Sequence, residues 1–151
     1  MSAVAFVDSN ILIYAHDRDA GVKRDRAVAK LRELWDSGTG RLSVQVLQEF
    51  YVNVTQKLAT PIARSTAREV IQAYAVWVRQ ATTAETVTRA AEISDLARIS
   101  FWDALIVASA EEAHADELLS EDLNDGQAIA GIKVVNPLKE FPTGLEVHDA
   151  P

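Results

Sequence analysis

The chain has 151 residues, 48% hydrophobic and 25% charged, with no low-complexity tract and no internal repeat, so one domain with a proper core is expected. A net charge of −7 argues against a protein that coats nucleic acid nonspecifically, and the absence of cysteine excludes disulfides, thiolate zinc sites and a cysteine nucleophile. No apolar run is long enough to span a bilayer, and "MSAVAFVDSN" has no charged region ahead of its short apolar run, so a cytoplasmic protein without membrane contact is expected.

"AVAFV" (3–7) is continuously apolar, as in a central strand covered on both faces, and it ends at Asp8. "SNILIYAHD" then reads as helical. Residues 22–36 place Ala27, Val28, Leu31, Leu34 and Trp35 on one helical face, with Gly38 near the stop. "RLSV" (41–44) fits a second short strand, and 45–58 a helix with Leu47, Phe50, Tyr51, Val54 and Leu58 in one stripe, broken by Pro61. Helical spacing recurs at 64–78 and 85–98. "FWDALIVASA" (101–110) is apolar all round, which marks a buried helix. "ELLS" (117–120) and "IKVVN" (132–136) are the last predicted strands, and from Pro142 the chain reads as a loose tail, leaving a domain over 1–141. Strands separated by helices imply right-handed crossovers and an α/β fold with a mostly parallel sheet covered on both faces. Ligands of such sheets bind at the carboxyl ends of the strands.

The chemistry available to the chain is oxygen chemistry. Its histidines (His16, His114, His148) are scattered, there is no HExxH, GxSxG or GxxxxGK, and "GTGRLS" (38–43) has Ser43 where GxGxxG needs its third glycine. Attention therefore falls on the acids at predicted strand ends. Asp8 follows the most buried strand; it can cap the next helix, and capping does not exclude a ligand role at the same sheet edge. Asp103 is the one charge in "FWDALIVASA", where an unpaired carboxylate is costly. Ser100 and Asp103 also have the spacing of a capping box, and position alone leaves the two roles evenly matched. Glu49 lies opposite the apolar stripe of its helix beside Gln45, Asn53 and Gln56, where periodicity says only solvated surface. Asp122 and Asp125, in "LLSEDLNDGQ" (118–127), follow a strand end and can equally be turn-formers; Ser120 before them can orient a water or phosphate, or cap a turn.

Each acid alone is ambiguous, but one sheet edge can gather Asp8, Asp103 and Asp122 from remote parts of the chain. Like charges held close raise one another's pKa and destabilise the fold, and Mg²⁺ or Mn²⁺, which prefer oxygen ligands, would relieve this.

"FVDSNILIY", "QVLQEFYVNVT", "SFWDALIVASA" and "LLSEDLNDGQ", followed by "GIKVVNP", together resemble the PIN-domain ribonucleases, specifically toxins of the VapC type. The resemblance runs from about Val4 to Leu138 with the motifs in the family's order, and Ser9 stands where threonine is common. It implies a three-layer α/β/α sandwich with a mostly parallel central sheet. The implied activity is metal-dependent endoribonuclease, hydrolysing RNA to a 5′-phosphate and a 3′-hydroxyl by metal-activated water. The family's catalytic acids fall on Asp8, Glu49, Asp103 and Asp122, with Asp8, Asp103 and Asp122 holding Mg²⁺ or Mn²⁺, Glu49 acting on the attacking water, and Asp125 at a further acidic position among the metal ligands. The implied partners are RNA, a cognate antitoxin that blocks the site, and a second copy in a homodimer.

Between Arg18 and Arg32, six basic residues face only Asp19 and Asp25. A solvated helix face explains such a run; the resemblance makes it a candidate for guiding RNA or meeting an acidic antitoxin segment. Among rivals, a haloacid-dehalogenase phosphohydrolase needs a second aspartate where Asn10 stands, and a receiver domain needs an acid pair that is absent. The alternative that remains is a non-catalytic PIN-like binding module using its acids structurally.

Overall fold

The protein is seen here as a computed structural model that describes residues 3–139. Strand β1 (Ala5–Val7) is wholly buried and lies between β2 (Gly40–Arg41) and β3 (Glu117–Leu119), both parallel to it. Beyond β3 come β5 (Ile132–Val135), parallel, and β4 (Ala128–Ile129), antiparallel, giving the order β2-β1-β3-β5-β4. Helices α1 (Ser9–Ala15), α2 (Val22–Ser37), α3 (Val44–Val52), α4 (Arg64–Tyr74), α5 (Ala84–Ala97) and α6 (Phe101–Glu112) complete a three-layer α/β/α sandwich, as expected. The predicted tail from Pro142 and the domain boundary at 141 lie outside the described residues.

The core forms where apolar strand residues meet the helix stripes. Phe6, Phe50, Ile11, Leu12, Ile106, Leu118 and Leu119 are all fully buried, each worth about 1.5–3 kcal/mol over an exposed position. Gly38 ends α2 in the left-handed region at φ 71°, which an L side chain resists. Gly40 serves a different need: a Cβ there would lie 2.7 Å from the ring of Trp77. A left-handed backbone at Gly38 and a close contact at Gly40 account for the glycines of "GTGRLS".

The structure corrects several predicted elements. The strand expected at 41–44 is Gly40–Arg41; Leu42 makes only an isolated bridge to Val78, and Ser43 already stands at the N-cap of α3. The helix expected over 45–58 is α3 continued by a π-helical turn at Asn53–Lys57, where Asn53 Nδ2 donates to the Glu49 carbonyl at 2.8 Å and Thr55 Oγ1 to that of Tyr51 at 2.6 Å. Side chains that intercept carbonyls loosen the regular α ladder. The helix expected over 64–78 ends at Tyr74 and passes into a 3₁₀ turn, Ala75–Trp77. Strand β4 was not predicted. It pairs with β5 through a two-residue turn in which Ala130 and Gly131 both have positive φ, 51° and 79°. Nor is α6 without a solvent face: Ala104–Ala110 are buried, but Trp102 in its first turn is 64% exposed.

Candidate active site

Register fixes the centre of the site. Val7 pairs with Leu119, and the Asp8 N–H donates to the Leu119 carbonyl at 3.0 Å, so Asp8 and Ser120 emerge side by side at the carboxyl ends of two central strands. Both are buried, at 4% and 0% exposure. Asp8 divides its oxygens: Oδ1 accepts from the Ser9 N–H at 2.7 Å and caps α1, while Oδ2 accepts from Ser120 Oγ at 2.8 Å and from Asn10 Nδ2 at 3.2 Å. The cap and the site orientation coexist. Burial pushes the Asp8 carboxyl up to about 7; the Ser120 hydroxyl and Ser9 N–H pull it back, while the charges of Asp122 and Glu49 push it further up.

Asp122 reaches the same point from the loop after β3. Its N–H donates to Ser120 Oγ at 3.1 Å, and its Oδ2 accepts from Asn10 Nδ2, also at 3.1 Å. The neighbouring Glu121 anchors this loop to the helical layer: its N–H donates to Asn10 Oδ1, Tyr14 Oη donates to Oε1 at 2.7 Å, and Lys23 Nζ to Oε2 at 2.6 Å.

Glu49 and Asp103 approach from two helices. Gln45, one turn before Glu49 on α3, is buried and donates from Nε2 to Glu49 Oε2 and to the Trp102 carbonyl, each at 3.3 Å. Gln45 thereby links the helix of Glu49 to the first turn of α6, where Asp103 lies. Ser100 Oγ caps α6 by accepting from the Asp103 N–H at 3.1 Å. Among the described residues no bond returns from the Asp103 carboxylate to the Ser100 N–H, so the capping box is half made, and the carboxylate is engaged by the Ser100 hydroxyl instead. Burial raises its pKa, opposed by the Ser100 hydroxyl and assisted by the charge of Asp122.

The structure thus joins Asp8 to Asp122 directly through Asn10 and Ser120, and sets Glu49 and Asp103 within electrostatic reach of that pair. Asp125 is placed differently. Its Oδ1 accepts from the Asn136 N–H at 2.9 Å and its Oδ2 faces Lys139 at 3.4 Å; that backbone bond, with the lysine, holds its pKa below the usual range. The basic run on and before α2 is partly used internally: Lys23 binds Glu121, Lys30 binds Glu33, and Arg26 donates to the Leu138 carbonyl. A cleft of 290 Å³ lined by His16, Arg32, Trp35 and Tyr74 lies past the far end of α1, and none of the acids lines it.

Sequence reasoning passed over Asn10, Gln45 and the Tyr14–Glu121–Lys23 cluster. Asn10 entered the sequence reading only as the residue that rules out a second aspartate two positions after Asp8.

The donor chemistry suits a hard divalent cation: carboxylates and a hydroxyl, with a buried carboxyl that has no cationic partner among the described residues. As the side chains stand, no three His, Asp or Glu residues among the described residues are grouped closely enough to hold a metal ion. The gap between Asp8 and Asp122 is spanned instead by the Asn10 amide. The residue types fit the group, while their present arrangement is that of a site closed on itself by hydrogen bonds.

Over residues 5–128 the sequence matches the PIN domain family, and the chain belongs to it. No curated protein sequence matches significantly. Solved structures share the fold. A toxin–antitoxin complex from Klebsiella pneumoniae contains a chain 20% identical, with a TM-score of 0.64 over 88% of this chain and 97% of that one. FitAcB from Neisseria gonorrhoeae is 18% identical, with a TM-score of 0.63 over the same 88% and 97%. VapC20 of Mycobacterium tuberculosis, described as a sarcin–ricin loop cleaving toxin, is 21% identical, with a TM-score of 0.58 over 78% and 89%. At these identities the likeness is one of fold. No helix among the described residues is long and apolar enough to cross a membrane.

Proposed function

We propose that the chain is a metal-dependent endoribonuclease and the toxin member of a VapC-type toxin–antitoxin pair. The observation that carries this reading is the buried Asp8 carboxylate, coupled to Asp122 at the carboxyl edge of a PIN sheet and raised to about 7 by burial, Asp122 and Glu49 adding to the rise. The fold shared with the Klebsiella complex and with VapC20 supports the toxin assignment.

Asp8, Asp103 and Asp122 would hold Mg²⁺ or Mn²⁺; Asp125, engaged by Asn136 and Lys139, is left out of the set. A bound divalent cation would make the attacking water easier to deprotonate and offset charge developing on the phosphodiester. Glu49, steadied by Gln45, orients the attacking water and takes its proton. Ser120 and Ser9 keep Asp8 aimed by occupying both of its oxygens. Hydrolysis then leaves a 5′-phosphate and a 3′-hydroxyl. Arg18, Arg24 and Arg32 are the members of the basic run offered to RNA or to an acidic antitoxin segment, and the active species is a homodimer in the cytoplasm.

The test is cleavage of end-labelled total RNA by antitoxin-free protein with Mg²⁺ or Mn²⁺, with EDTA, and beside Asp103→Asn. Discrete fragments that vanish in EDTA and in a folded variant are expected. Absence of cleavage together with absence of metal binding by calorimetry would favour the non-catalytic binding module.

A further inference from the structure

Asn10 occupies a position that the four-acid reading does not use. Its Nδ2 lies 3.2 Å from Asp8 Oδ2, 3.1 Å from Asp122 Oδ2 and 3.4 Å from Ser120 Oγ. Its Oδ1 accepts from the Glu121 N–H at 3.0 Å. The orientation of the amide is forced by chemistry. An ionised carboxylate only accepts and a backbone N–H only donates, so a flipped amide would set oxygen against two carboxylates and nitrogen against a donor. An NH₂ group has two protons, and the two carboxylates lie nearer than the hydroxyl. One side chain therefore joins acids more than a hundred residues apart in sequence and, through its other end, holds the loop that carries one of them.

We propose that Asn10 is a positioning residue that holds Asp8 and Asp122 together as a pair before a cation arrives, its neutral amide donating a hydrogen bond to each. The inference rests on the metal-dependent reading above. Neutral donors offset part of the repulsion between neighbouring carboxylates, and the pair is thereby spaced without first being closed by the metal. An amide lets go more readily than a lysine would, because no charged pair has to be broken when the cation enters.

Two variants separate this role from simple anchoring of the loop. Asn10→Asp keeps an acceptor for the Glu121 N–H and replaces the donor edge by a third negative oxygen. Asn10→Ala loses both. Melting temperatures at pH 8 in EDTA and in Mn²⁺, with Mn²⁺ affinity by calorimetry, give readouts independent of cleavage. Circular dichroism establishes that each variant is folded.

In EDTA, Asn10→Asp should melt several degrees below wild type, and Mn²⁺ should raise its melting temperature by more than it raises that of wild type. Asn10→Ala should bind Mn²⁺ at least about tenfold more weakly, as for other residues that orient ligands. If Asn10→Asp matches wild type in both buffers and Asn10→Ala keeps its Mn²⁺ affinity, Asn10 is a loop anchor only and the inference is overturned. If wild type itself binds no Mn²⁺, the metal-dependent reading fails and takes this one with it; that outcome is read on wild type alone and is distinct from a failure at Asn10.

Discussion

At Asp8 one oxygen takes the Ser9 N–H and the other faces Ser120 and Asn10, so substitution by asparagine can keep the cap while deleting the charge. The linkage sign follows from the raised pKa. With an ordinary value of 3.8 and a folded value of about 7, ionisation of Asp8 opposes folding. The opposition is absent below pH 3.8, grows as pH rises through 7, and above that is on the order of 4 kcal/mol. In EDTA at pH 8, Asp8→Asn should therefore melt several degrees above wild type, with the difference vanishing near pH 4, while its cleavage of RNA is abolished. A lower melting temperature at pH 8 would mean that the asparagine fails as a cap. Asp8 and Asp103 were legible because one follows a buried strand and the other interrupts an apolar helix. Glu49 was not: it sits on a polar stripe that periodicity assigns to solvent, and only the family motif raised it. Asn10 and Gln45 act through partners far along the chain, Asp122 and the Trp102 carbonyl, and nothing local announces that.

Among the elements, the junction of β2 with the 3₁₀ turn shows how tightly the sheet edge is built. Trp77 meets Trp35 at a tilt, with ring centroids 5.3 Å apart, and Tyr74 edge to face at 4.9 Å, so its ring has little room to retreat from a side chain at position 40. Gly40→Ala should cost about 1–3 kcal/mol in urea unfolding through overpacking. A wild-type midpoint would show that the indole moves freely. The long amphipathic helices were legible because each repeats its stripe over several turns. The short elements were not: β2 and β4 have two residues each, too few for any alternation, and the turn between β4 and β5 uses Ala130 at φ 51°, where sequence would lead one to look for asparagine or glycine.

For the whole molecule, an α/β fold with acids at one sheet edge follows from the alternation of strands and helices. The strand order and the antiparallel edge do not, since pairing is decided by packing across the sheet rather than by any one segment. What the assembled fold adds is convergence: the ends of β1 and β3 and the helices α3 and α6 each deliver one acid, Asn10 and Ser120 tie Asp8 to Asp122, and Gln45 ties Glu49 to the first turn of α6. The central claim, hydrolysis of RNA by water at this acid cluster with a divalent cation, is tested most directly by the chemistry of the ends. Cleavage of a defined labelled RNA in Mn²⁺ should leave 5′-phosphate and 3′-hydroxyl termini and should cease in EDTA and in Asp103→Asn. Termini carrying a 2′,3′-cyclic phosphate, or cleavage that persists in EDTA, would contradict the account, because attack would then come from the RNA's own 2′-hydroxyl or proceed without the cation.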